Sequence, residues 1–349
     1  MEITIVGAGA IGGTLGAYLA RAGHAVTFVD AASPHVDAIN ARGLAIEGAE
    51  TFAVAARALL PEQVRGPLRT AFLAVKTMHT DQAAAAIAPH LAPDGAVVSM
   101  QNGFNEERIA AAVGPRRTIG AFVNFGADYL EPGRILYGGG GALCLGELDG
   151  TDTDRVRRLV EALRTAFLPT TRATTNIWGY LWGKHAYGAM LKVTALTDAP
   201  IADVLADPLA RPVLANVAAE VLAVAAAEGV RPEAFDGFEP DAFRFPPHRD
   251  PARLEASLDA LVAFNRRSLK ARSGVWRDLA VRKRKTEVEA VVAGLRERAA
   301  RHGRSIPLVE ALGTMIGEIE AGTRLQDWNN VRALAARNDA LYGSRRTPG

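Results

Sequence analysis

Apolar and polar positions follow two regimes along the chain. In the first half, short aliphatic runs alternate with helical stretches. Residues 2–6 (Glu-Ile-Thr-Ile-Val) form an apolar run that stops at glycine, a small-residue stretch covers 10–22 and closes at Gly23, and a second apolar run covers 25–30. Strand, helix and strand within about 30 residues open a doubly wound parallel sheet. The same pattern predicts strands near 70–75 and 95–100 and helices near 78–91 and 104–113. Strands near 117–124, 133–137 and 142–146 are expected to continue the far side of that sheet. From residue 151 the period becomes helical, over 151–166, 175–198, 208–228, 252–270, 276–302 and 307–321, with a Pro- and Phe-containing loop at 239–251. The expected fold is α/β, with a parallel-sheet domain over residues 1–169 followed by an all-helical domain over 170–349.

Composition narrows the function classes. A chain of 349 residues exceeds one ordinary core, and 49% hydrophobic with 22% charged residues is a globular balance. Forty basic against 38 acidic side chains leave +2, which gives no electrostatic reason to expect nucleic acid or an anionic membrane as partner. The basic run Arg282-Lys283-Arg284-Lys285 is followed by Glu287 and Glu289, and reads as a solvated helix turn. Cys144 is the single cysteine, reads as a buried strand residue, and with no His or Cys spacing around it suggests no metal. No cationic segment leading into an apolar stretch precedes Glu2, and the alanine-rich run 214–229 is interrupted by Glu220 and Glu228. The expected location is cytoplasmic.

Gly7-Ala8-Gly9-Ala10-Ile11-Gly12 follows the first strand and opens the first helix, the context in which a G-x-G-x-x-G binds a dinucleotide. Gly7 permits the tight turn, Gly9 lets the backbone approach a pyrophosphate, and Gly12 lets helix and strand pack closely. The helix N-terminus then faces the phosphates. Asp30 ends the second strand 21 residues after Gly9, where a carboxylate accepts hydrogen bonds from the adenosine ribose. This is the signature of a Rossmann domain that binds NAD(P)H. Asp30 repels a 2′-phosphate and Ala31 offers no cation, which favours NADH, while Arg42 or Lys76 remain routes to a phosphate. Residues 138–141 are four glycines with no helix after them, and read as a tight turn, not a phosphate loop.

Reduction of a ketone by hydride leaves charge on oxygen and requires a proton donor. Two stretches of the helical half offer one: Trp182-Gly183-Lys184-His185, and Arg284-Lys285-Thr286-Glu287, whose glutamate enters a helix with a core face of Val288, Val291, Val292 and Leu295. With Gly7-Ala8-Gly9-Ala10-Ile11-Gly12, Val75-Lys76-Thr77, Gln101-Asn102-Gly103, Trp182-Gly183-Lys184 and Lys285-Thr286-Glu287 in this order over about 280 residues, the sequence resembles the ketopantoate reductase (2-dehydropantoate 2-reductase) family. The resemblance implies a Rossmann domain and a helical domain with the active site in the cleft between them, and a place in pantothenate biosynthesis. It implies Lys184 as general acid, Glu287 as the carboxylate that hydrogen-bonds a substrate hydroxyl, Asn102 at the nicotinamide end of the site, and Lys76 near the adenosine phosphate. NADPH is the family default.

The sequence departs from that pattern. The family has asparagines four and eight residues after the lysine, where this chain has Gly188 and Lys192, all on one helix face. Lys192 is therefore a candidate for holding an anionic group of the substrate. Gly274 stands where the family often has serine, with Ser273 adjacent as the replacement candidate. The leading expectation is an NAD(P)H-dependent reductase of a 2-oxo acid, with a homodimer suggested by the mixed apolar faces of its helices. The alternatives are an NAD-dependent dehydrogenase of a different hydroxy acid or ketone, and a non-catalytic nicotinamide sensor.

Overall fold

The computed structural model describes residues 1–343, in two compact units: Met1–Leu181 with Ser268–Lys270, and Trp182–Arg267 with the chain from Ala271 onward. The first unit opens with β1 (Glu2–Val6), α1 (Ala10–Arg21), β2 (Ala25–Val29) and α2 (Ser33–Arg42). Three short strands follow, β3 (Leu44–Gly48), β4 (Phe52–Val54) and β5 (Arg57–Leu59). Then come β6 (Leu68–Leu73), α3 (Thr80–Ile87), β7 (Leu91–Ser99), α4 (Glu106–Val113) and β8 (Thr118–Val123). The unit continues through β9 (Gly126–Glu131), β10 (Arg134–Gly139), β11 (Leu143–Glu147), α5 (Asp154–Ala166) and β12 (Arg172–Ala173).

Eight of these strands form one sheet in the order β12-β11-β8-β7-β6-β1-β2-β5, parallel throughout except where β11 meets β8. Both faces of the central strands are covered, which is why they read as unbroken apolar runs. In β1, Ile3 and Ile5 pack with Leu15 and Leu19 of α1, while Val6 joins Leu73, Ile87 and Ile109 on the opposite face. Cys144 lies fully buried in β11, as the apolar pattern indicated.

The strand expected at 133–137 does not extend this sheet. It lies in β10, in a second sheet of order β4-β3-β10-β9. The hairpin turns at Gly133 with φ +79°, and β10 then runs parallel to β3, with Arg134 opposite Ala45. Residues 138 and 139 of the glycine run close β10 rather than standing in a turn. At three to five residues each, β3, β4 and β5 carry too little alternation to announce themselves beforehand.

The second unit is helical from α6 (Ile177–Thr194), whose residues up to Leu181 belong to the first unit. It continues with α7 (Ile201–Ala206), α8 (Ala210–Ala227), α9 (Pro251–Arg267), α10 (Gly274–Ala280), α11 (Val288–Arg301), α12 (Pro307–Glu320) and α13 (Trp328–Tyr342). Helix α8 is long and apolar enough to cross a membrane, but 72% of it is buried among α7, α11, α12 and α13. An all-round apolar helix of this kind is the centre of a bundle. Its Glu220 accepts the Leu308 and Val309 N–H groups at 2.9 Å each and the Tyr342 hydroxyl at 2.6 Å, tying α12 and α13 to it.

The helix expected over 276–302 is two helices. Buried Asp278 accepts from Arg282 and Arg284 at 3.1 and 2.9 Å, and Lys283 adopts φ +47°, which breaks the helix after α10. The basic run is therefore a loop and not a helix turn. Glu287 stands at the N-cap of α11, whose buried face is Val288, Val291, Val292 and Leu295 as expected. The helix expected to reach residue 270 ends at Arg267, and Leu269 donates to the Gly138 carbonyl in the first unit.

Candidate dinucleotide and catalytic residues

The order of the large sheet reverses between β1 and β6, and the loops that leave the carboxyl ends of β1, β2, β6 and β7 carry the candidate cofactor residues of the first unit. Gly7 sits at φ +94° with Ala74 so close that a Cβ would lie 2.8 Å from its carbonyl carbon. A Cβ on Gly12 would lie 2.1 Å from the Gly7 carbonyl oxygen. Only glycine lets α1 begin this near β1. Gly9 is different: a Cβ there would meet nothing within 4 Å. Its glycine is not demanded by the protein's own packing, and that side of the loop is open. Gly9 is also the N-cap of α1 and supplies no capping side chain, so the first N–H groups, Ala10 and Ile11 included, face outward.

Asp30 takes part in the loop's own architecture. Its Oδ2 accepts the Ala8 N–H at 2.8 Å and its Oδ1 the Ala32 N–H at 2.9 Å. A carboxylate has lone pairs left for ribose hydroxyls after two such bonds. Arg42, one of the two routes to a 2′-phosphate, instead donates to the Pro132 carbonyl at 2.7 Å, at the far end of α2.

Two motifs that looked separate form one hydrogen-bonded unit. Gln101 Nε2 donates to the Val75 carbonyl at 2.8 Å, and the Thr77 hydroxyl donates to the Asn102 carbonyl at 2.6 Å. Asn105 Nδ2 donates to the same Asn102 carbonyl at 2.6 Å. Gly103 has φ +99°, and a Cβ there would press on Thr77 Oγ1 at 2.8 Å. The loops after β6 and β7 thus hold each other, with the Asn102 side chain exposed and Lys76 half-buried. Thr77 stands in the motif Val75-Lys76-Thr77 with no role read from the sequence, and Asn105 lies outside the motifs altogether. The available signal was a hydroxyl inside one motif and an amide two residues past the end of the other.

In the second unit, Lys184, Gly188 and Lys192 follow one another along one face of α6. Lys192 Nζ donates to the Gly188 carbonyl at 3.2 Å, and a Cβ on Gly188 would have Lys192 Nζ at 3.6 Å as its single neighbour within 4 Å. Burial pushes the Lys192 ammonium below its ordinary pKa, and the Glu287 carboxylate pulls it back up. Glu287 and Lys192, from different helices, thus share one electrostatic neighbourhood. Thr286 fixes the approach to Glu287, donating its N–H to Glu320 at 2.8 Å and its hydroxyl to the same carboxylate. Ser273 is the N-cap of α10, its Oγ accepting the Trp276 N–H at 3.1 Å. His185 packs its ring beside Trp182, with centroids 6.1 Å apart.

A glycine turn at a sheet's switch point, an uncapped helix start and a carboxylate at the next strand end define a dinucleotide-binding domain of the Rossmann type. The chain matches the family model described as "Ketopantoate reductase PanE/ApbA" over residues 3–150 and the one described as "Ketopantoate reductase PanE/ApbA C terminal" over residues 176–320. The protein therefore belongs to the ketopantoate reductase family. It is 33% identical over 232 residues to the 2-dehydropantoate 2-reductase of Mesorhizobium japonicum, covering 59% of this chain and 70% of that one. The Pyrococcus horikoshii enzyme of the same name is 35% identical over 201 residues, covering 55% and 65%. The structure of a PanE/ApbA family ketopantoate reductase from Ralstonia eutropha superposes with TM-score 0.75 at 27% identity, covering 92% of this chain and 99% of that chain. D-mandelate dehydrogenase, solved with NADH and anilino(oxo)acetate, shares the fold with TM-score 0.79 at 20% identity, covering 92% and 99%.

One buried acid lies immediately beyond the Asn102 loop. Glu106, fully buried at the start of α4, has its carboxyl pushed up from the ordinary 4.5 to about 7 by burial. The unfolded chain therefore ionises this group first as pH rises. Wild-type stability should fall between about pH 4.5 and 7 relative to Glu106→Gln and level off above that, a difference of about 3 kcal/mol at 1.36 kcal/mol per pKa unit. Chemical denaturation of both proteins across this range checks it. Parallel stability curves for the two would show that the acid is not held protonated.

Proposed function

We propose that the protein reduces a 2-oxo acid of the ketopantoate type to the 2-hydroxy acid, with Lys184 as the general acid. The observation that carries this reading is the face of α6: two ammonium groups eight residues apart on a single face, with a glycine between them and a glutamate acting on the second. Bound reduced nicotinamide supplies a hydride to the carbonyl carbon. The chain's own residues do the rest. Lys184 gives a proton to the carbonyl oxygen, so that ketone, hydride and proton become a secondary alcohol. Lys192 spends one N–H on the Gly188 carbonyl, and its other two are offered to the substrate carboxylate. Glu287 accepts from a substrate hydroxyl, Asn102 orients the nicotinamide end, and the Ser273 hydroxyl is left with a proton to donate after capping α10.

NADH is the preferred cofactor in this reading, because Asp30 places charge at the ribose and Arg42 is committed to Pro132. Lys76 contributes on the adenosine phosphate side. The buried, solitary Cys144 is compatible with the reducing cytoplasm, and the exposed Leu325 and Leu341 of the helical unit with a homodimer. A second reading has support from Gly188. A face without a side chain at that position accepts a bulkier substituent, which favours a dehydrogenase of a larger 2-hydroxy acid.

Following absorbance of NADH and then NADPH with a panel of 2-oxo acids that includes ketopantoate separates the two readings. Ketopantoate turnover supports the first, and turnover of bulkier acids alone supports the second. Cofactor binding without any turnover contradicts both and leaves a sensor. With the best substrate, Lys184→Ala should lose about 10²- to 10⁴-fold in kcat. Near-normal turnover would remove Lys184 from the chemistry. Lys192→Ala should raise the 2-oxo acid KM by about 10- to 100-fold, the worth of a charge-assisted hydrogen bond. An unchanged KM would assign the substrate carboxylate to another residue.

A further inference from the structure

We infer that His35, outside the glycine motif, is a positioning residue that sets cofactor affinity by aiming the Gly9 N–H. His35 lies in the first turn of α2 and is 1% exposed. Both of its ring nitrogens are spent on backbone groups. The Gly133 N–H, at the β9–β10 turn, donates to Nδ1 at 2.9 Å. Nδ1 is therefore the acceptor and Nε2 carries the hydrogen, which it donates to the Ala8 carbonyl at 2.8 Å. Tyr129 packs edge-on against the ring, with centroids 5.0 Å apart.

The consequence follows from peptide geometry. The Ala8–Gly9 peptide is planar and trans, so its C=O and N–H point in opposite directions. Holding the Ala8 oxygen against α2 turns the Gly9 N–H away from α2. The preceding peptide is held as well, through the Ala8 N–H on Asp30 at 2.8 Å. Ala8 thus has both of its backbone polar groups fixed from outside the loop. The loop meets a pyrophosphate already ordered, and the ordering cost is taken from folding and not from binding.

Three substitutions separate this role from packing. Asn at position 35 keeps an acceptor within reach of Gly133 but has no donor long enough for Ala8, whereas Gln carries its amide N–H out to the Nε2 position. His35→Asn and His35→Ala should raise the NADH dissociation constant about 3- to 10-fold, the net worth of one hydrogen bond, with the 2-oxo acid KM at saturating NADH unchanged. His35→Gln should restore near wild-type affinity. Equal NADH affinity in wild type and a folded His35→Asn, or a His35→Gln no better than His35→Asn, would overturn the assignment. Should the variants unfold, ¹⁵N spectra of the wild-type protein decide. They should report an Nε2–H tautomer for His35 and a Gly9 amide that shifts on NADH addition. An Nδ1–H tautomer, or a Gly9 amide indifferent to NADH, would equally overturn it.

Discussion

The near-contact between α1 and the strands beneath it governs the rest of the first unit. A methyl group on Gly12 would overlap the Gly7 carbonyl, and one on Gly7 would strike the backbone at Ala74. Because neither methyl is present, the helix begins directly over the carboxyl ends of β1 and β6. Its positive end then lies where the sheet order reverses, which is where an open α/β sheet leaves a crevice. From that point outward, each neighbouring group has a defined task. Asp30 and His35 fix the Ala8 backbone, and Thr77 and Asn105 fix that of Asn102.

The second unit is organised differently. Its polar chemistry rides on a bundle whose centre, α8, is apolar on nearly every side and whose Glu220 secures two other helices. The candidate groups are on α6 and at the start of α11. Glu287 is delivered by a chain break: Asp278 captures two arginines, the backbone turns at Lys283, and Thr286 docks on Glu320. A continuous helix through 276–302 would have placed Glu287 mid-helix instead of at an N-cap. The loop that looks like a charge run is the device that sets this carboxylate.

Much of this was legible in the chain. The apolar run into Gly7, the spacing to Asp30 and the switch to helical period after residue 151 follow directly from strand, turn and helix geometry. The second sheet was not legible, because β3 and β4 are five and three residues long and β3 takes its other pairing from β10, a strand far along the chain. The break before α11 was also hidden, since it arises from buried Asp278 gathering arginines from a run that otherwise suits a helix. His35 gave no signal. A histidine in an ordinary helix acquires its meaning only when folding brings Ala8 and Gly133 to its two nitrogens, 27 and 98 residues away.

The claim on which the account rests is that the open side of Gly9 is reserved for cofactor. Gly9 has φ −68° and a Cβ there meets no protein atom within 4 Å, so Gly9→Ala should fold and melt like the wild type. Titrating both proteins with NADH by fluorescence or calorimetry is the direct measurement. The account predicts an unchanged melting temperature and a loss of at least about tenfold in NADH affinity, the equivalent of 1.4 kcal/mol. A folded Gly9→Ala that binds NADH as tightly as the wild type would contradict it.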